Sequence, residues 1–283
     1  MIRSEVLAIA FGLASAASWG SGDFSGGFAT RRGNVYSVVI ISQLIGAAFL
    51  VALGFSSTER ISSPENLLLG GMAGVAAVIG LVALYLGLAS GRMGIVAPFT
   101  AIVAASVPVL VGLVREGLPS NSQLIGFGIG LVAVWLLSSA GDGGAIQARE
   151  LGLAVTAGLG FGLFFILIDR VSQSAVLWPL VAARIAAVFF LLILATARRS
   201  WETPARNQLP LIALAGIFDA GGNTFFALST RVGRLDIAAV LSSLYPAATV
   251  LLARLILKER LMPQQWMGVV AALMALVFIA WGI

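Results

Sequence analysis

"GRMGIVAPFTA" at residues 91–101 and "GRLDIAAVLSS" at 233–243 are one segment written twice, 142 residues apart. Arg92 stands opposite Arg234, and Ile95 opposite Ile237. The correspondence extends outward in both directions. Downstream, "VREGLPSNSQLIG" (114–126) falls on "LKERLMPQQWMG" (257–268), setting Glu116 against Glu259 and Gly126 against Gly268. Upstream, "GGMAGVAAVIG" falls on "ALAGIFDAGG" and pairs Gly74 with Gly216, while "SEVLAIAFGLASAASWG" matches "RELGLAVTAGLGFGLFF" with Glu5 on Glu150. The chain therefore reads as two copies of one unit, 1–140 and 148–283.

Composition says what the unit is. Of 283 residues, 59% are hydrophobic and 10% charged, against roughly 25% charged in a soluble domain. Apolar stretches recur at 6–28, 36–55, 66–89, 95–114, 121–139, 150–168, 176–197, 209–229, 237–257 and 263–283. Each approaches the ~20 residues a helix needs to cross a bilayer. The expected fold is an all-α membrane protein of ten transmembrane helices, five per unit. Five is odd, so the second unit crosses in the opposite sense to the first. Such inverted repeats place a substrate site near the midplane, where the halves meet. The start of the chain, "MIRSEVLAIAFGLASAAS", has the basic-then-apolar order of a signal peptide. Its match to residues 149 onward favours a first transmembrane helix instead.

The short connections hold no soluble domain. With no cysteine there is no disulfide or thiol chemistry, and with no histidine the commonest metal ligand and proton carrier are missing; no metal, cofactor or enzymatic role is expected. The net charge of +5 sits mostly on arginines at span ends, where lipid headgroups meet them, so nucleic acid is not an expected partner. The expected partners are a small-molecule substrate and the lipid bilayer. Gly70/Gly74, Gly126/Gly130 and Gly158/Gly162 permit close helix packing within the bundle or in a homodimer, so the state is a monomer or homodimer.

Within the spans, "GIFDAGGNTFF" (216–226) places Asp219 about ten residues into hydrocarbon, at a cost on the order of 2.5–3.5 kcal/mol. Intramembrane acids usually face a cavity and mark a functional site. Asn223 follows one helical turn later, and Gly221 and Gly222 are expected to loosen the helix for a ligand. Ala77 occupies the matching position in the first half, so the acid is not a scaffold requirement of both. Arg184, inside the seventh span, is a potential structural partner, or it snorkels to the interface. An unpaired Asp219 would be the leading proton carrier. Asp23 and Asp169 lie near the ends of their spans. Trp19, Tyr85, Phe225, Phe226 and Tyr245 offer aromatic faces suited to cations and planar rings. The candidate substrate-binding set is Asp219, Asn223, Trp19, Tyr85, Tyr245, Phe226 and Asp23, with Asp219 the proton-coupling candidate.

Several of these stretches resemble a known family. "SWG" (18–20), the small-residue-rich third and eighth spans, the "GR" before the fourth and ninth, and above all "LYPAATVLLARLILKERLMPQQWMGVVAALMALVFI" (244–279) are similar to the drug/metabolite transporter superfamily with two tandem EamA-type domains. The resemblance covers essentially the whole chain. It implies a secondary transporter in the plasma membrane, most often exporting, with substrates ranging over amino acids, sugars, nucleotide conjugates and drugs. One departure stands out: Pro108 lies eight residues before Glu116, but Pro246 thirteen before Glu259. The fourth and ninth spans are therefore expected to kink at different depths.

The resemblance also implies cytoplasmic termini, whereas Lys and Arg are more numerous on the odd-numbered connections, which points the other way. The orientation stays open. A competing class comes from "WGSGDF" (19–24): G-x-G-D is a motif of intramembrane aspartyl proteases, with Asp23 and Asp219 as a dyad sharing one proton. That reading requires the two carboxyls to face each other, and it does not explain a five-plus-five repeat. The favoured reading is a transporter working by alternating access, proton-coupled through Asp219, for amino-acid-like, amine or cationic compounds.

Overall fold

The ninth span differs from its repeat counterpart, the fourth. In the computed structural model, which describes residues 2–30, 34–88, 93–138, 148–198, 202–256 and 262–281, the ninth span is broken. Two helices, α9 (Leu235–Ser242) and α10 (Tyr245–Ile256), flank a turn at Ser243–Leu244. Pro246 has no N–H to continue the ladder. The turn instead closes through bonds from the Leu244 N–H to the Leu241 carbonyl (3.2 Å) and from the Ala247 N–H to the Leu244 carbonyl (2.9 Å). Its counterpart α4 (Met93–Glu116) runs unbroken through Pro108. The asymmetry expected from the two proline positions is thus a break in one half only.

The remaining spans are single helices: α1 (Ile2–Thr30), α2 (Val35–Ser56), α3 (Pro64–Leu88), α5 (Asn121–Ser138), α6 (Ala148–Ser172), α7 (Leu177–Arg198), α8 (Leu209–Val232) and α11 (Pro263–Trp281). A 3-10 turn at Arg206–Gln208 leads into α8. Five of them, α2, α3, α6, α7 and α8, are long and apolar enough to cross a membrane on the described residues alone. Mean hydropathy is 2.3–2.4 for four of these and 1.5 for the eighth span, the one carrying Asp219 and Asn223.

The halves interlock. The seam of α1 with α8 recurs as α6 with α3, that of α2 with α8 as α7 with α3, and that of α4 with α6 as α9–α10 with α1. Three further seams, α2/α7, α4/α9 and α5/α11, join a span to its own repeat partner. This is the pairing produced by a two-fold axis relating inverted repeats, and the axis passes through the self-paired seams.

Glycine makes the interlocking possible. A Cβ on Gly74 of α3 would strike the Ala183 carbonyl of α7, and one on Gly216 of α8 would strike the Ser42 carbonyl of α2. These are the glycines the repeat places opposite each other. Lacking hydrophobic drive between helices in lipid, the chain gains its association energy from such backbone-level contact. The other pairs also pack inside the bundle. Gly158 and Gly162 meet Val103 and Val107 at 2.5 and 2.8 Å from an added Cβ, and Gly126 meets Ile279 at 2.7 Å.

Candidate functional site

Arg184 turns inward. Its residue is 3% exposed, so it does not snorkel. Its Nη1 donates to Asp219 Oδ2 on α8 and to Gln43 Oε1 on α2. Gln43 closes the triangle, its Nε2 donating to the same Asp219 oxygen at 3.3 Å. Among the described residues Arg184 Nε and Nη2, both buried, find no hydrogen-bond partner. The acid and base differ in exposure: the Asp219 side chain is 38% exposed, that of Arg184 4%.

Gln43 went unflagged in the sequence, yet a signal existed. Ser42 and Ala183, whose carbonyls receive Gly216 and Gly74, are 141 residues apart, as are Gln43 and Arg184. The two therefore occupy equivalent places on the self-paired α2/α7 seam and touch across the pseudo-axis. A polar side chain at the same register in both second spans of the repeat was the clue.

Asp219 has Arg184 as partner, so the condition attached to a desolvated proton carrier, an unpaired carboxyl, is not met in this conformation. Asp23 of α1 is exposed, yet lies within electrostatic reach of Asp219 on one side and Tyr245 on the other. Among the described residues no hydrogen bond joins Asp23 to Asp219, whose carboxylate is held by Arg184 and Gln43. A proton-sharing dyad is not what this arrangement favours.

Asn223 serves Trp19 in place of Asp219: the indole Nε1 donates to its Oδ1 at 2.9 Å. Trp19 is half-buried, stacked on Phe165 (5.6 Å) and Phe226 (5.9 Å). Phe226, expected to face substrate, is fully buried and presents no surface to a ligand here. Phe225 stacks on Phe11 at 6.4 Å. Nor do Gly221 and Gly222 loosen α8, which is continuous from Leu209 to Val232. Gly222 instead gives the Trp19 ring room against the backbone, and its carbonyl accepts from Ser15 Oγ at 2.9 Å. Ser18 Oγ donates to the Phe218 carbonyl at 2.7 Å. These residues zip α1 to α8. Tyr245 is half-buried beside the helix break. The side chain of Tyr85, and all of Arg92, Lys258 and Glu259, lie outside the described residues.

At the ends of the spans facing the even-numbered connections, charged contacts tie the halves together. Arg115 pairs with buried Asp169 at 3.2 Å. Arg234 pairs with Asp236 at 2.6 Å and Glu116 at 3.8 Å, and Glu116 also accepts from the Leu235 N–H at 3.2 Å. Glu59 accepts from the Val176, Leu177 and Trp178 N–H groups at 2.9, 2.8 and 3.2 Å, capping α7. An open depression of about 650 Å³ at this end is lined by Ser57, Glu59, Arg60, Asn66 and Arg231. It lies at the helix ends, and Glu59 there is already engaged.

Comparison with known proteins agrees with this geometry. The EamA-like transporter family matches residues 6–139 and again residues 149–281. No curated protein matches the chain. A crystal structure titled only as that of a protein superposes with a TM-score of 0.81 at 15% identity, covering 96% of this chain and 95% of that one; at that identity the likeness bears on fold alone.

Proposed function

This chain belongs to the EamA-like transporter family, and on that premise we propose that it exports amine, amino-acid-like or cationic compounds across the plasma membrane by alternating access, with Asp219 binding substrate or proton. That it is a multi-pass membrane transporter of small molecules follows from the family. The finer reading is supported by one observation: the side chain of the acid at mid-span is 38% exposed, while that of its basic partner is 4% exposed. Asp23 adds a second acid within electrostatic reach of Asp219, and together they favour a positive group over a phosphate. The ties among Arg115, Asp169, Glu116 and Arg234 at one end, with Asp23 exposed toward the other, support an alternation in which such ties open and close. Asp23 and Tyr245 remain the candidate contacts beside Asp219, and 1–140 and 148–283 the candidate domains.

The test is current from proteoliposomes on a solid-supported membrane, offered pools of amines, amino acids and cationic drugs with and without a pH step. Wild type should give a substrate-dependent current that needs the gradient, and Asp219→Asn should abolish it. A wild-type current that survives the substitution would make Asp219 structural and leave Asp23 and Tyr245 as the binding candidates.

A further inference from the structure

We infer that Arg184 is a resident cation, occupying Asp219 while no ligand is bound and yielding it to an incoming cationic group, with Gln43 holding the released guanidinium. The inference rests on the reading of Asp219 given above and adds the residue that competes with its ligand.

Four observations carry it. First, the pair is one-sided in exposure, 38% for the Asp219 side chain against 4% for Arg184. A ligand can reach the acid without first uncovering the base. Second, among the described residues the guanidinium holds the acid through Nη1 alone, while its buried Nε and Nη2 have no partner there. A two-pronged Arg–carboxylate fork is the strong form of this interaction; this chain does not build it, and a single-nitrogen grip is the exchangeable form. Third, Gln43 binds both members, accepting from Arg184 and donating to Asp219. When Asp219 turns to a ligand, the Gln43 carbonyl still satisfies Arg184, so release does not strand a buried charge without any acceptor. Fourth, the repeat places Ala77 opposite Asp219 and Gln43 opposite Arg184. One half supplies the whole acid–base pair, and the other supplies only the amide that bridges it.

The consequence is a competition. A site available only in the fraction of molecules where the internal cation has let go shows an affinity reduced by that fraction. Removing the competitor should therefore tighten cation binding, the reverse of what loss of an ordinary structural partner does. Asp219 tolerates the loss because its side chain, unlike that of Arg184, is not buried.

The experiment measures tritiated tetraphenylphosphonium binding to the purified full-length protein in detergent, with a monodisperse elution profile required of each variant. Wild type should bind the probe and Asp219→Asn should lose it. Arg184→Gln should bind it more tightly, by about 10-fold for an acid free one-tenth of the time. Gln43→Leu keeps acid and base but removes the resting place for Arg184, and should weaken binding several-fold. Unchanged or weaker binding by Arg184→Gln, with Asp219→Asn still defective, overturns the inference and leaves the reading of Asp219 intact. If Arg184→Gln fails to fold, Gln43→Leu decides: binding as tight as wild type overturns the inference. Wild type without probe binding, or Asp219→Asn that binds normally, overturns the reading of Asp219 itself.

Discussion

Replacing Gly216 with alanine should destabilise the protein more than any comparable change on a lipid-facing stretch. The added Cβ would overlap the Ser42 carbonyl and lie 3.1 Å from its carbon and 3.2 Å from the Gly46 nitrogen. All three neighbours are backbone, so no side chain can swing aside and the α2/α8 seam must open. Overpacking of this kind costs about 1–3 kcal/mol, and contact with rigid backbone belongs at the upper end. Alanine recovers up to about 1 kcal/mol of helix propensity, leaving a net loss of about 2 kcal/mol. Gly74→Ala, against the Ala183 carbonyl at the symmetry-related seam, should lose a similar amount. Gly128 and Gly152 are the controls, since nothing lies within 4 Å of an added Cβ at either; alanine there should be neutral or slightly stabilising. The assay is thermal unfolding in detergent followed by size-exclusion chromatography. For a chain of this size 2 kcal/mol corresponds to a fall of about 3–4 °C. Gly216→Ala and Gly74→Ala melting together with the Gly128 and Gly152 controls would refute the interlocked arrangement of the halves.

Other substitutions probe separate contacts. Trp19→Phe keeps the aromatic stack but removes the bond to Asn223, and should cost about 1 kcal/mol in the same assay; Trp19→Ala, which also empties the stack on Phe165 and Phe226, should cost about 3–5 kcal/mol. Glu59→Ala strips three α7 N–H groups of their acceptor and should lower stability by about 1–2 kcal/mol, with accelerated proteolysis of the 57–63 connection as a second readout. Arg115→Gln should cost little, about 1 kcal/mol or less, because that side chain is 50% exposed. If the tie to Asp169 is a genuine pairing, Asp169→Asn made on top of Arg115→Gln should add less than it does alone.

How much of this was legible beforehand varies by residue. Gly74 and Gly216 were matched in the sequence, and both lie where a helix backbone must meet another. Their spacing along the chain is a one-dimensional property that duplication preserves. Pro108 and Pro246 likewise announced an asymmetry, since proline acts on its own helix. Asp219 stood out because hydropathy falls at a charged residue whatever its neighbours are. The roles given to Asn223, Phe226, Gly221 and Gly222 were another matter. A helical face is visible in sequence, but not what covers it, and here Trp19 from α1 covers that face. Gln43 illustrates the same limit from the other side: an amide in a span is cheap enough to pass unremarked until Arg184 and Asp219 are placed beside it.

Composition and repetition by themselves determined the class, the ten spans and the inverted duplication, because crossing lipid constrains every span in its own sequence. Only the tertiary structure decided that Arg184 holds Asp219, that Gln43 bridges them, and that Asp23 is exposed while Asp169 is buried. Those outcomes depend on which faces of α1, α2, α7 and α8 meet. In a bilayer, where any apolar face is equally at home against lipid, close packing and interhelical hydrogen bonds select them.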